Sequence, residues 1–410
     1  MVRRAIAGPS SQINDFIRFS RHLLFEGRNV YVEYEPTYTI TKYPPAFAFL
    51  FAPLVPLPMW AAASLWFWGN LALSIGAAVV GALVIMDDSA DGRAPGRTAR
   101  RERRRRVILP YVLTAPVIIS NLETGQVNIV IVFLLVVVLF LQRQERDLLA
   151  GGILGGIIAL KLTPALFVLY FAWKGAWRLL AGTAVGLLVC WGFLPLLAYG
   201  PGFYADVMEG WLRTVAPFLA EGTIAEGLGG FLHTNQSLSA AVIRYLTETP
   251  AGGGREDFTV NVATVGLDEA RWIVRGLSAA IVAFLAWVCA RGGRREAGVD
   301  GRSFAARFPL SYGLECALVM IAILFLSPIS WINHYVYLLF PYGAAVAWLA
   351  SRPESAAGWR FVRAAVWVSF GLLLTSVSVF LQALSLPFFG AVVLAVGLTV
   401  ALRSEAETAG

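Results

Sequence analysis

The stretch PMWAAASLWFWGNLALSIGAAVVGALVIM, Pro58 to Met86, contains no charged residue. DDSADGRAPGRTARRERRRR, Asp87 to Arg106, follows at once with eight arginines against four acids. An uncharged run of this length exceeds the roughly 20 apolar residues that a helix needs to cross a bilayer. An arginine cluster directly after such a run marks the side that stays in the cytoplasm. Lipid is therefore the solvent around this part of the chain, and the composition extends that conclusion to the rest. Of 410 residues, 58% are hydrophobic and 14% charged, a balance that a soluble core does not account for.

Apolar runs recur along nearly the whole chain: Pro58 to Met86, Val107 to Ser120, Gln126 to Leu141, Leu148 to Leu160, Pro164 to Trp173, Arg178 to Ala198, Arg271 to Ala290, Phe308 to Leu326, His334 to Ala350, Ala364 to Ala383 and Phe388 to Leu402. Backbone groups in hydrocarbon have to be satisfied within each segment, so these runs read as about eleven helical segments of an all-α integral membrane bundle. Several are too short to span alone. The short ones are consecutive, broken by Asn121-Leu-Glu-Thr-Gly-Gln126 and by Lys161-Leu-Thr-Pro164. Breaks at membrane depth are tolerated where they line a protein or water-filled cavity. The expected organisation is an outer segment over 1–57 with short juxtamembrane helices, a polytopic membrane domain over 58–402 with an outer loop at 199–270, and a cytoplasmic tail at 403–410.

Phasing the runs from the arginine cluster places Arg143, Arg146, Lys174, Arg178, Arg291 to Arg307 and Arg352 to Arg363 inside. The net charge of +7 is thus explained by topology, without nucleic acid as a partner. The same phasing places outside the segment before Pro58, the Asn121 to Gln126 turn, Lys161, the loop from Tyr199 to Glu269, and Ser327 to Asn333. The outer loop is expected to hold short interfacial helices and a flexible tip at Ala251 to Gly254. Met1 to Asn14 contains Arg3 and Arg4 and no apolar run, so the expectation is a truncated gene start that lacks a first spanning helix, the alternative being a terminus translocated by later helices. Cys190, Cys289 and Cys316 lie in apolar runs without metal-ligand spacing and read as packing residues.

The outward-phased segments carry the unusual polar residues. Asp15, ahead of the amphipathic stretch Phe16 to Phe25, suits either a helix N-cap or a general base for an acceptor hydroxyl. Lys161 between apolar half-runs costs on the order of 2.5–3.5 kcal/mol to insert; a lipid phosphate would compensate it, and so would snorkelling to the interface. Glu123, Gln126, Asn128, Asn235 and Gln236 suit hydrogen bonding to sugar hydroxyls, and amides equally suit capping and helix-to-helix contacts. Asn235-Gln-Ser237 is formally a glycosylation acceptor. Ser327-Pro-Ile-Ser-Trp331 with Asn333 and His334 is the densest polar cluster, and His334 reads either as a cap or as a group for hydrogen bonding and proton transfer. No P-loop, dinucleotide fingerprint or metalloprotease motif is in a credible context, which argues against ATP-driven transport and leaves no cofactor or metal expected.

The ordered set Asn14-Asp-Phe16, Lys42-Tyr-Pro-Pro45, Pro53-Leu-Val-Pro-Leu-Pro58 with Trp66 and Asn70, Gly125-Gln-Val-Asn128, Lys161-Leu-Thr-Pro164, Asn235-Gln-Ser-Leu238 and Ser327-Pro-Ile-Ser-Trp331 resembles glycosyltransferase family 87. These are polyprenol-phosphate-mannose-dependent mannosyltransferases and relatives of the GT-C fold. The resemblance implies an outward-facing cavity, a polyprenyl-phosphate-linked sugar donor and inversion at the anomeric carbon. It further implies Asp15 as catalytic base, Lys161 facing the donor phosphate, and His334 near the reacting sugars. Tyr43, Ser330, Trp331 and Asn333 join the amides as candidate sugar or acceptor contacts. Two departures stand out: relatives usually place a spanning helix before the aspartate, and many carry paired histidines where this chain has Asn333 and His334. The expected activity is hexose transfer, with mannose the expected sugar, to a lipid or glycan acceptor at the outer face of a bacterial inner membrane. A lipid-linked sugar flippase or other transporter is the alternative.

Overall fold

The computed structural model describes residues 12–33, 42–86, 97–221, 231–252, 258–290 and 304–408. The arginine-bearing stretches 87–96 and 291–303, and much of the Gly-rich tip, at 253–257, lie outside these residues. Among the described residues the structure is helical, with one isolated β-bridge between Asn235 and Trp331. An amphipathic helix α1 (Ile13–Ser20) and a short α2 (Phe47–Phe51) lead into α3 (Met59–Ile85), and then α4 (Arg97–Thr124), α5 (Asn128–Arg143), α6 (Asp147–Leu160), α7 (Leu166–Trp173) and α8 (Trp177–Leu188) follow. Next come α9 (Pro201–Glu221), α10 (Leu238–Leu246), α11 (Leu267–Ala290), α12 (Pro309–Leu326), α13 (Leu339–Ser351), α14 (Trp359–Leu374) and α15 (Leu386–Thr408). Among the described residues seven helices are long and apolar enough to cross a membrane, and three shorter apolar ones, α5, α6 and 163–173, lie among them.

The expected apolar runs are largely helical, but Ala364 to Ala383 divides at Ser378 into α14 with a 3-10 turn and a short helix Val379–Ala383, and other boundaries differ too. The arginine stretch is partly helix, since α4 begins at Arg97; Asn121 to Thr124 form its last turn, so the break falls at Gly125. Gly125 has φ +67°, the left-handed region that favours glycine, so it ends the helix where α1 begins alongside, with Ile13 in van der Waals range of its Cα side. The outer loop holds a long helix, α9, as well as the short α10.

Helices α6 and α8 pack backbone to backbone. A Cβ on Gly151 would lie 1.9 Å from the Leu179 carbonyl oxygen, on Gly155 2.3 Å from that of Thr183, on Gly182 2.3 Å from that of Leu148, and on Gly186 2.3 Å from that of Gly152. Two glycine pairs at i, i+4 on facing helices form the small-residue seam by which helices associate in lipid, where dispersion and close approach replace the hydrophobic drive.

Groups phased to one side meet one another. At the arginine end, Arg143 donates to the Leu83 carbonyl, and Lys174 turns inward to the fully buried Glu315 (2.9 Å) and the Cys289 carbonyl (2.7 Å). Tyr170 also donates to Glu315, at 2.8 Å. At the other end, Arg244, fully buried, donates to the carbonyls of Ala383, Phe231, Leu232 and Asn235 and to the Ser385 hydroxyl. Those bonds tie 231–246 to the turn before α15. Asn235, equally buried, closes the Ser327-to-Trp331 turn: its Oδ1 accepts from the backbone N–H of Ser237 (3.1 Å) and Ser330 (2.9 Å), and its Nδ2 donates to the Pro328 carbonyl (3.0 Å). Asn235 is therefore no glycosylation acceptor, because the amide that a glycan would occupy is sealed in the fold.

Two outcomes are expected from thermal unfolding in detergent. Gly155→Val overfills the α6–α8 seam and destabilises by about 1–3 kcal/mol, whereas Gly152→Ala, with nothing within 4 Å of its Cβ, leaves the midpoint unchanged. Asn235→Ala strands two buried N–H groups at about 1–3 kcal/mol each; a midpoint equal to wild type would show that the turn closes without it.

Candidate active site

The site lies where breaks in three segments meet. After α6 ends at Leu160, Pro164 starts a new short helix, and Lys161 sits in the gap with an extended backbone (φ −155°, ψ 123°). Asn128, the first residue of α5 after the Gly125 break, is fully buried and accepts from the Lys161 Nζ at 2.6 Å. His334, on the 3-10 turn Ile332–Leu338 before α13, brings its Nε2 to 3.0 Å from the same nitrogen. The Trp331 backbone N–H donates to His334 Nδ1 at 2.9 Å, and the two rings lie parallel within 2°. Lysine burial in a low-dielectric gap is offset here by polar groups from two other segments.

A cavity of about 420 Å³ opens on this cluster. Its polar wall includes Lys42, Lys161, His334, Trp331, Tyr43, Gln12, Thr163 and Ser327, and much of the rest is apolar, from Leu162, Leu166, Ile323 and Leu326. Lys42 holds its Nζ 5.3 Å from the centroid of the Trp331 ring, and burial pushes its ammonium down to about 8. Gln12 accepts from Gln126 Nε2 at 2.6 Å, and its own backbone N–H donates to the Thr124 carbonyl at 3.0 Å, so α1 is anchored on the Gly125 break. Such a mixed wall accommodates an anion at one end and an apolar chain at the other.

Of the residues singled out from the sequence, Tyr43, Lys161, Trp331 and His334 line this cavity together. Gln126 and Asn128 stand behind the wall, holding Gln12 and Lys161 respectively. Asn235, Gln236 and Ser330 do not reach the cavity. Gln236 donates to the carbonyls of His233 and Gln382, and Ser330 to that of Leu324. Asn333 is buried, and its carbonyl accepts from Asn121 Nδ2. Glu123 is half-buried on the last turn of α4 and is not on the cavity wall.

Asp15 occupies the first turn of α1, while Gln12 holds the N-cap position without a side-chain bond, so the cap reading of Asp15 does not hold. It lies outside the lining, three residues from Gln12 and therefore on the same helix face. Burial raises its carboxyl above the usual range, and Arg18 partly opposes that shift.

Lys42 and Gln12 are among the wall residues that sequence reasoning passed over. The signal for Lys42 was present: a lysine beside Tyr-Pro-Pro in an outward-phased segment poses the same question as Lys161. Gln12 gave none, since an amide before an amphipathic stretch reads as ordinary capping. Among the described residues no group of three or more His, Cys, Asp or Glu could hold a metal ion.

The family model described as glycosyltransferase family 87 matches residues 41–311, which include Lys42, Tyr43, Lys161 and Asn235. The chain is 30% identical over 319 residues to a polyprenol-phosphate-mannose-dependent alpha-(1-2)-phosphatidylinositol mannoside mannosyltransferase of Mycolicibacterium smegmatis, covering 76% of this chain and 63% of that one. It is 29% identical over 306 residues to the protein of the same description in Mycobacterium tuberculosis, covering 72% and 60%. A third relative, the M. smegmatis polyprenol-phosphate-mannose-dependent alpha-(1-2)-phosphatidylinositol pentamannoside mannosyltransferase, is 28% identical over 356 residues, covering 84% and 69%. The chain thus spans less than two thirds of the length of the first two. No solved structure matches it. With more than half of the sequence matched by one family model and the relatives in agreement, the chain belongs to glycosyltransferase family 87.

Proposed function

We propose that the protein is a membrane glycosyltransferase that moves a hexose from a polyprenyl-phosphate donor to a lipid or glycan acceptor, with inversion at the anomeric carbon. Mannose is the sugar by analogy with the relatives' names, and a phosphatidylinositol mannoside is the corresponding acceptor class. The reaction takes place at the end of the bundle opposite the arginines, which the positive-inside rule makes the extracytoplasmic face of the plasma membrane.

The observation that carries this reading is the cavity at the helix breaks, cationic on one wall and apolar on the other. A polyprenyl-phosphate sugar has that same polarity: an anionic phosphodiester between a sugar and a long hydrocarbon. Its phosphate is already a good leaving group, so transfer needs no nucleotide site. Asp15 removes the proton from the acceptor hydroxyl, whose oxygen forms the new bond to the anomeric carbon. The bond from that carbon to the phosphate oxygen breaks, its electron pair leaving with the lipid phosphate toward Lys161. A carboxylate whose proton affinity is raised by burial is a stronger base than a solvated one. Asp15 also lies on the amphipathic α1, where a glycolipid hydroxyl arrives from the membrane surface.

Membranes containing the protein, incubated with labelled polyprenyl-phosphate mannose and a glycolipid acceptor, are expected to yield a labelled glycolipid one hexose heavier. Asp15→Asn is expected to lower that transfer by about 10²–10⁴-fold while leaving the folded yield intact. Undiminished turnover by this variant would remove Asp15 from the mechanism. Donor movement across vesicles with no new glycosidic bond would replace the transferase reading with transport.

A further inference from the structure

Two lysines line the cavity, and their nitrogens differ in how they are used. Lys161 Nζ is engaged on two sides, by Asn128 Oδ1 at 2.6 Å and His334 Nε2 at 3.0 Å. The Trp331 N–H donates to His334 Nδ1 at 2.9 Å, so a neutral imidazole carries its hydrogen on Nε2. That hydrogen points at Lys161, whose nitrogen then accepts it through a lone pair, and a lysine with a lone pair is an uncharged amine. The Lys161–His334 pair therefore brings hydrogen bonds to the cavity but no net charge.

Lys42 is placed differently. Its Nζ is buried, and among the described residues it has no hydrogen-bond partner. The face of Trp331, at 5.3 Å, is the contact it makes. The indole face stabilises the cation but accepts no conventional hydrogen bond from it, so among the described residues its three N–H donors have no acceptor. The titratable groups that share the cavity wall with it are Lys161, His334 and Tyr43, and among the described residues that wall includes no carboxylate. Among the described residues, then, nothing on the wall matches this positive charge with an anion.

We infer that Lys42 is the resident cation of the cavity and the first contact for the phosphate of the lipid-linked donor, with Lys161 adding a hydrogen bond rather than a charge. This rests on the transferase reading above. Trp331 joins the two parts: its ring holds Lys42 in place, and its backbone fixes the His334 tautomer that occupies Lys161. Because burial brings the Lys42 ammonium down to about 8, it is charged at neutral pH and loses its proton as the pH rises beyond that point.

Binding of farnesyl phosphate to the full chain in nanodiscs tests the assignment, with farnesol as the uncharged control and thermal unfolding to verify that each variant is folded. At pH 7, Lys42→Gln is expected to weaken farnesyl phosphate binding at least about tenfold through loss of a charge-assisted contact while leaving farnesol binding unchanged. Lys42→Arg should stay within about threefold of wild type, since the charge is kept and a donor fork replaces the ammonium. Wild-type affinity should fall as the pH rises above about 8, and the Lys42→Arg protein should be flat over the same range, a difference that a packing role would not produce. If wild type binds farnesyl phosphate and Lys42→Gln binds it equally well, the assignment to Lys42 fails while the transferase reading stands. A wild-type protein that does not bind farnesyl phosphate removes both. Displacement by inorganic phosphate at concentrations equal to the lipid would overturn the lipid as the source of the anion.

Discussion

A lysine nitrogen between two apolar half-helices has to find its partners within the protein, because the surrounding hydrocarbon offers none. In this chain the partners of Lys161 come from two other breaks: Asn128, just after the turn at Gly125, and His334, on the turn before α13. Satisfying one nitrogen thus draws three interrupted segments to one depth. The local geometry follows from that convergence. Gly125 ends α4 early enough for Asn128 to begin α5 facing inward, and Pro164 restarts the helix directly after the lysine. The breaks that weaken each helix individually become a shared polar node when they coincide.

That node is stabilised from outside the membrane helices. Asn235 uses both ends of its carboxamide to hold the Ser327-to-Trp331 turn, and Arg244 fixes the Asn235 carbonyl while reaching the turn before α15. Neither residue lines the cavity. They act through the backbone of Trp331, whose N–H orients His334. Buried cationic and amide groups of this kind are costly unless they are matched, and each of the three Arg244 nitrogens has at least one acceptor among carbonyls and a hydroxyl. The outer segments are therefore part of the machinery that shapes the cavity wall.

The helices were legible because lipid imposes one strong rule, an uninterrupted apolar run for each spanning segment, and Pro58 to Met86 shows it without ambiguity. That the outward-phased polar groups gather at one end of the bundle was legible too, since arginine placement follows a separate rule. Individual roles were not. An amide has the same signature in sequence whether it meets a sugar or a backbone; Asn128 and Asn235 were grouped together, yet one sits behind the cavity holding its lysine and the other seals a turn. Glu315 escaped notice because a single acid inside α12 gives no hint that Lys174 turns in to meet it. Lys42 was obscured by its motif: proline-rich neighbours drew attention to backbone shape and away from the charge.

Placing chemistry at helix breaks has a physical rationale beyond the availability of polar groups. In the proposed transfer from a lipid phosphate, the departing anion needs hydrogen-bond donors and a cation near it, and such interactions strengthen as water is excluded. A continuous membrane helix has no free backbone polarity or room for such groups, whereas a surface loop has both but sits in high dielectric. A pair of half-helices lies between these limits, provided something other than their own length anchors them. The glycine seam between α6 and α8 supplies that anchor, with backbone contacts at Gly151, Gly155, Gly182 and Gly186 that hold α6 against a full spanning helix. Close packing at one end of α6 thus makes an interruption at its other end tolerable, and Lys161 stands at that interruption.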